Sequence, residues 1–270
     1  MAGLLGEGLG VLVAASAILG AAGASAATPV SANDTFPIVE LRQYTLVKGQ
    51  RDVLIDLFER EFVETQEAVG LKVIATFIDL DNPDKFVWVR GFKNMHARLE
   101  GLSEFYGGPV WKSHREVANA TMIDSDNVLL LKAPASQAQF ALPTERPAIG
   151  SSAQSGLVIA TIYYLKGSTS EAGELFAGQV APQLAKQGAG PLAWFVTEDS
   201  PNNFPRLPVR EGEQVLVWFA AFADESDRAG HRAAFENAYS AIAPLLSREP
   251  ETLRLKPTSR SLIRGTVIAP

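Results

Sequence analysis

The sequence predicts an α+β protein in which two βαββαβ repeats pack sheet to sheet within one chain, and three observations predict it. The element order strand, helix, strand, strand, helix, strand occurs twice. Anchors recur in register: Tyr44-Thr45-Leu46 answers Tyr163-Tyr164-Leu165, and Trp88 to Phe92 answers Trp218 to Phe222. Between the two copies, Pro134 to Ser155 is rich in Pro, Ala, Ser and Gln, the composition of a linker. The chain therefore divides into a first repeat at 36–133, a linker at 134–155 and a second repeat at 156–265, with 1–35 as signal peptide and tether.

Each element follows from local pattern. Ile38 to Leu46 alternates as a strand, and Asp52 to Val69 carries Leu54, Phe58, Phe62, Thr65 and Val69 at helical spacing before Gly70, a natural stop. Val73 to Asp79 and Lys85 to Phe92 flank the turn cluster Asp81-Asn82-Pro83-Asp84 and form a hairpin. Asn94 caps the next helix, which breaks at Gly107-Gly108-Pro109 and resumes, because Gly suits a helix end and Pro a helix start. The aliphatic run Val128 to Leu131 closes the first copy. In the second copy, Leu157 to Leu165 is the first strand and Ser170 caps a helix to about Lys186. Leu192 to Thr197 pairs with Gln214 to Phe222 across a long Pro- and Asn-containing loop. A helix from about Glu225 to Leu245 then leads to a last strand near Leu253 to Ile263. The fold expected is two ferredoxin-like βαββαβ repeats packed sheet to sheet as an intrachain α+β barrel.

Such a repeat covers one sheet face with helices and leaves the other bare, so two repeats enclose a cavity between their bare faces. Val39, Leu41, Val87 and Val89 suit a helix-covered face. Glu40, Arg42, Tyr44, Trp88 and Arg90 share the opposite parity and are expected to line the cavity, with opposite charges on one face pairing. The second copy carries Ile159, Thr161 and Ala220 where the first has Glu40, Arg42 and Arg90, so one wall is polar and the other apolar. That asymmetry suits an amphipathic ligand, with Tyr44, Trp88, Tyr163, Trp194 and Trp218 as aromatic walls.

Composition excludes several classes. The chain has 47% hydrophobic and 20% charged residues, those of a globular protein, with a net charge of −6 and no basic block. Nucleic acid is not an expected partner, because phosphate neutralisation needs clustered Lys and Arg. The absence of Cys removes disulfides, thiolate chemistry and most zinc sites. At the N-terminus, the apolar run Val11 to Ala22 precedes Ala24-Ser25-Ala26, an A-x-A cleavage pattern, so the protein is expected to be exported to the periplasm. An uncleaved segment would leave it cytoplasmic. Asp79-Leu80-Asp81 and Asp124-Ser125-Asp126 resemble calcium loops but lack the spacing of one and read as turns. No GxGxxG, P-loop, GxSxG or HExxH occurs, and three scattered histidines make no metal site.

The strand VELRQYTL (Val39 to Leu46), the hairpin IDLDNPDKFVWVRGF (Ile78 to Phe92) and above all FYGGPVWKSHREVANATMIDSDNVLLL (Phe105 to Leu131) resemble the NIPSNAP family of the dimeric α+β barrel group. The second copy resembles it through ETLRLKPTSRSLI (Glu251 to Ile263). The resemblance implies fused barrel halves and a small-molecule pocket or a partner-binding role, without agreed chemistry.

Within it, His114 lies at helical spacing with Val110, Val117 and Thr121, the stripe of a core face; its ordinary pKa near 6.5 equally suits a general acid or base. The catalytic candidates are His114, Arg90 and Tyr44. The ligand candidates are Glu40, Arg42, Trp88, Tyr106, Trp111, Arg115, Tyr163, Trp194 and Trp218. His231, beside Arg232, is expected in solvent. No cofactor is predicted, with haem on His114 left open. The expected partner is a hydrophobic small molecule; a homo-oligomer or a protein partner on the outer faces is the alternative.

Overall fold

The computed structural model of the chain describes residues 35–153 and 155–265, so the expected signal peptide and tether lie outside the described residues up to Asp34. Among the described residues nine strands form one sheet that closes on itself. Strands β1 (Ile38–Leu46), β2 (Lys72–Asp79), β3 (Lys85–Phe92), β4 (Met122–Asp124) and β5 (Val128–Lys132) come from the first half of the chain, and β6 (Leu157–Tyr164), β7 (Ala193–Thr197), β8 (Val215–Phe222) and β9 (Glu251–Pro257) from the second. Their order is β3-β2-β9-β6-β8-β7-β5-β1-β4, and a β3–β1 pairing closes eight of them into an antiparallel barrel, with β4 appended to β1. Within each half the first strand lies between the third and the last. Glu40 faces Arg90 across β1 and β3 as Ile159 faces Ala220 across β6 and β8, so the two halves share one register.

Helices cover the outside. In the first half α1 spans residues 51–67, with a π-helical turn at Phe58–Phe62 between α-helical ends; α2 (Met95–Gly107) and α3 (Pro109–Ala120) follow. In the second half α4 spans 169–186 with a π turn at Phe176–Val180, followed by α5 (Glu225–Gly230) and α6 (Arg232–Ile242). The π turn holds one residue more than an α turn, so the buried stripe of α1 runs Leu54, Phe58, Phe62, Gln66 and leaves the expected Thr65 half-buried. Because the π turn occurs in both halves, it belongs to the architecture and not to one site. Gly70 ends α1 at φ +82°, a left-handed conformation that glycine adopts without penalty.

Three differences from the sequence reading have plain causes. Ser168, and not Ser170, caps α4, its side chain accepting from the Ser170 N–H. The expected helix from Glu225 breaks at His231, whose Nδ1 lies 2.8 Å from the Gln187 carbonyl oxygen and whose Nε2 lies 3.5 Å from Asp227, so this histidine is only partly in solvent and has partners on both ring nitrogens. The last strand stops at Pro257 because the next residues turn onto α1: Thr258 and Ser259 hydroxyls and the Arg260 N–H all donate to Glu59.

The face assignment is reversed. Val39, Leu41, Val87 and Val89 point into the barrel, where they meet Val158, Ala160, Ile162, Phe195, Val217 and Phe219 of the other half in one apolar core. Glu40, Arg42, Tyr44, Trp88 and Arg90 point outward, beneath α1 and α2. The alternation was correct, but both faces of this sheet are covered, so polarity does not mark the side away from the helices.

Candidate active site beneath the helices of the first half

The site is built on β1 and β3, whose register sets Glu40 beside Arg90 and Arg42 beside Trp88. Asn94 fixes the start of α2 by accepting from the Ala97 N–H at 2.8 Å, which turns Arg98, Gly101, Leu102 and Phe105 toward the sheet. Arg98 completes a buried cluster. Glu40 Oε1 accepts from Arg98 Nε and Nη2 at 2.9 and 2.6 Å, while Oε2 accepts from Arg90 at 3.1 and 2.6 Å and from Arg42 Nη1 at 2.8 Å. All four side chains are at most 1% exposed.

Five N–H donors saturate the two oxygens, so the other guanidinium donors find neutral acceptors: Gln66 Oε1 for Arg90, Tyr44 Oη for Arg42, and the Asn202 and Asn203 side chains for Arg98. Three guanidiniums face one carboxylate, leaving two positive charges that no anion among the described residues balances. Burial alone would raise the Glu40 pKa, but Arg90, Arg42 and Arg98 overcome it and hold the carboxyl well below its usual range. Burial also opposes charge on the guanidiniums. It prevails at Arg98, whereas Tyr44 and Glu40 outweigh it at Arg42, and Glu40 does so at Arg90. All three stay cationic at neutral pH. Burial likewise pushes the Tyr44 phenol above its usual range, so it remains a neutral hydroxyl.

Beside this cluster lies a cavity of about 30 Å³ lined by Tyr44, Phe58, Phe62, Gln66, Trp88, Phe105, Tyr106 and Trp111 together with Leu54, Ala118 and Met122. Aromatic rings separate it from the charges: the Arg90 guanidinium carbon is 5.0 Å from the Trp88 ring centre, and that of Arg42 is 5.4 Å from Tyr44. The α2–α3 corner supplies the outer wall. Gly108 is extended there, at φ −77° and ψ 166°; it serves by its small size, since a Cβ would stand 2.9 Å from the Glu104 carbonyl oxygen. Pro109 then starts α3, and Tyr106 and Trp111 meet edge to face at 4.8 Å.

An arm from the other half completes the cover. The β7–β8 loop, residues 198–214, stands where the first half has the turn 80–84, and it crosses onto the first half's helices. Asn203 Nδ2 donates to the Met95 carbonyl at 2.6 Å, and Phe204 is buried in the first half's outer core, its ring 6.0 Å from Tyr106 and nearly parallel to it.

The structure thus brings Tyr44, Trp88, Tyr106 and Trp111 around one cavity, with Glu40, Arg42 and Arg90 behind it. It places others elsewhere. His114 sits at the rim, Nε2 3.6 Å from Glu61 Oε2 with about a third of its side chain exposed, and is not part of the lining. The expected His114 stripe is rotated: Ala118 is buried and Val117 is 54% exposed. Arg115 is exposed. Tyr163, Trp194 and Trp218 lie under the helices of the second half with Phe176, across the barrel from Tyr44, and burial pushes the Tyr163 phenol up to about 12. The sequence reading missed Arg98, Gln66 and the arm. No cluster of three or more metal-ligating side chains occurs among the described residues, and no helix there is long and apolar enough to cross a membrane.

No family model matches the chain, and no curated protein matches it significantly. Solved structures do. A protein described as "Putative monooxygenase" from Fusobacterium nucleatum aligns over 86% of this chain and 97% of its own with TM-score 0.56 and 11% identity. An anthrone oxidase-like protein aligns over 88% and 98% with TM-score 0.53 and 12% identity. At these identities the likeness is one of fold alone, a closed antiparallel barrel with helices outside. A NIPSNAP family protein from Agrobacterium tumefaciens matches over 36% of this chain and 91% of its own, with TM-score 0.33 and 18% identity, too slight a likeness to assign the family.

Proposed function

We propose that this protein binds a small aromatic or amphipathic molecule between the sheet and the helices of its first half, and not in the barrel interior. One observation carries the reading: an aromatic-lined cavity abuts a buried cluster with two unbalanced positive charges, built by residues the second half replaces with Ile159, Thr161 and Ala220. A cluster that served only to hold sheet to helices would need no excess charge, and the second half holds its helices with apolar contacts.

The cavity as it stands has room for a water-sized group. A ring enters when Trp111, half-buried at the rim, swings out; each edge-to-face contact it gives up contributes about 0.5–1.5 kcal/mol, and a ligand ring restores such contacts. The first half we read as a NIPSNAP-like unit at 36–133, joined through 134–155 to a second at 156–265, each of ferredoxin-like topology, in an exported protein. His114 and Glu61 at the rim are placed to exchange protons with a ligand's outer end, which is where acid/base chemistry would sit. Titration calorimetry with 1-naphthol tests the site: saturable binding should weaken about tenfold in Tyr106→Ala, which removes a ring that stays in the lining when Trp111 moves out, and stay unchanged in Tyr163→Phe. Equal loss in both variants, or no saturation, sinks the proposal.

A further inference from the structure

The aromatic lining of the cavity favours a ring, and the cluster behind it favours a negative charge. We infer that the ligand is held as an aromatic oxyanion, a phenolate or enolate, and that a weak acid entering as the neutral hydroxyl loses its proton there. This rests on the cavity being the ligand site. The O–H bond breaks heterolytically, the electron pair stays on the ligand oxygen, and the proton leaves to bulk water, so no co-reactant is needed.

The charged and titratable groups around the cavity are Glu40, Arg42 and Tyr44 on β1, Arg90 on β3, Arg98 and Tyr106 on α2, and, at the rim, Glu61 of α1 opposite His114 of α3. Glu40 is saturated by its five donors, so it cannot balance further cations. A ligand anion is the one charge that relieves the excess without unfolding the site.

Tyr44 is the contact point. Its oxygen accepts from Arg42 Nε at 2.9 Å, its ring lines the cavity, and its own proton has no acceptor among the described residues. The hydroxyl therefore has a donor to spare, polarised by the guanidinium behind it. Gln66 also lines the cavity, but its Oε1 is engaged by Arg90 and one Nε2 N–H by the Phe62 carbonyl, leaving one neutral amide N–H, a weaker donor than the phenol. One polarised hydroxyl in an aromatic lining suits a single-oxygen anion better than a carboxylate.

The probes are 4-nitrophenol, whose phenolate absorbs in the visible, and 4-nitroanisole, its methyl ether, which cannot ionise. With the full chain, bound 4-nitrophenol should ionise with a midpoint at least about one pH unit below that of the free phenol, a tenfold preference for the anion. Tyr44→Phe should return the midpoint most of the way to the free value while leaving 4-nitroanisole affinity within about twofold, since the ring is kept. If both probes bind equally and 4-nitrophenol stays neutral, the oxyanion inference falls and the cavity reading stands. If neither binds, both fall. An unmoved midpoint in Tyr44→Phe removes Tyr44 as the contact point.

Discussion

At the scale of single residues, Glu40 decides whether the first half folds as described. It is the one carboxylate among three buried guanidiniums, and removing it leaves uncompensated charge beneath α1 and α2. Glu40→Gln should therefore cost about 3–5 kcal/mol at neutral pH, the usual loss on breaking a buried pair, read by denaturant unfolding. The pH dependence follows from the lowered pKa. The charge-dependent stabilisation is complete above the unfolded carboxylate's pKa and fades only as pH falls through the lower folded value, so the wild-type advantage should shrink in strong acid. An advantage that shrank instead between pH 6 and 8, to within about 0.5 kcal/mol of zero, would show that another group carries it. The Glu40 pairing with Arg42 and Arg90 was legible from strand parity. Arg98 was not recognised, although its stripe with Gly101, Leu102 and Phe105 has i, i+3, i+4, i+7 spacing, because a charged residue on an apolar helical stripe reads as an edge of the solvent face.

Among elements, the α2–α3 corner and the β7–β8 arm do the most to shape the site, and the sequence revealed them unequally. The Gly107-Gly108-Pro109 break was evident because helix grammar is local. What it accomplishes, setting Tyr106 against Trp111, depends on the two helix axes and has no local sign. Gly108→Ala should cost about 1–3 kcal/mol, since a methyl group would press on the Glu104 and Phe105 carbonyls and force the corner open; thermal unfolding that matched wild type would refute the close approach. The arm was visible only as a long loop, because nothing in a loop's composition says which surface it crosses. Its role makes a separate prediction. Phe204→Ala removes a buried ring from the first half's cover, and should cost about 3–5 kcal/mol while exposing Tyr106 to acrylamide or exchange probes. A loss under about 0.5 kcal/mol would mean that the arm merely rests there.

For the whole molecule, the decisive fact is that one apolar interior belongs to both halves. The paired-strand seams joining them are short: β5 and β7 pair through Leu131 with Thr197 and Lys132 with Val196, and β2 and β9 through Phe77 with Pro257, Ile78 with Lys256 and Asp79 with Leu255, extended by single backbone bonds such as Glu198 N–H to the Leu130 carbonyl and Thr258 N–H to the Thr76 carbonyl. Backbone pairing this limited cannot set the cohesion of the molecule, which falls to the side chains that interdigitate inside. This also explains why the sequence predicted the order of strands and helices along the chain and inverted the faces of the sheet. Period-two alternation separates two sets of side chains but does not say which looks inward, and in a barrel clad by helices neither set meets water. The rule that resolves it is physical: a sealed interior tolerates no charge that lacks partners, whereas the seam between sheet and helix offers backbone and side-chain acceptors such as Gln66 and the arm's asparagines. If the interior is common property, Phe77→Ala on the inner face of the first half and Phe219→Ala on that of the second, each at most 1% exposed, should each remove about 3–5 kcal/mol and shift one calorimetric transition as a unit. The measured enthalpy should then equal the van't Hoff enthalpy in wild type and in both variants. Two resolved transitions, only one of them moved by each substitution, would mean that each half keeps a core of its own and that barrel closure adds little to its stability.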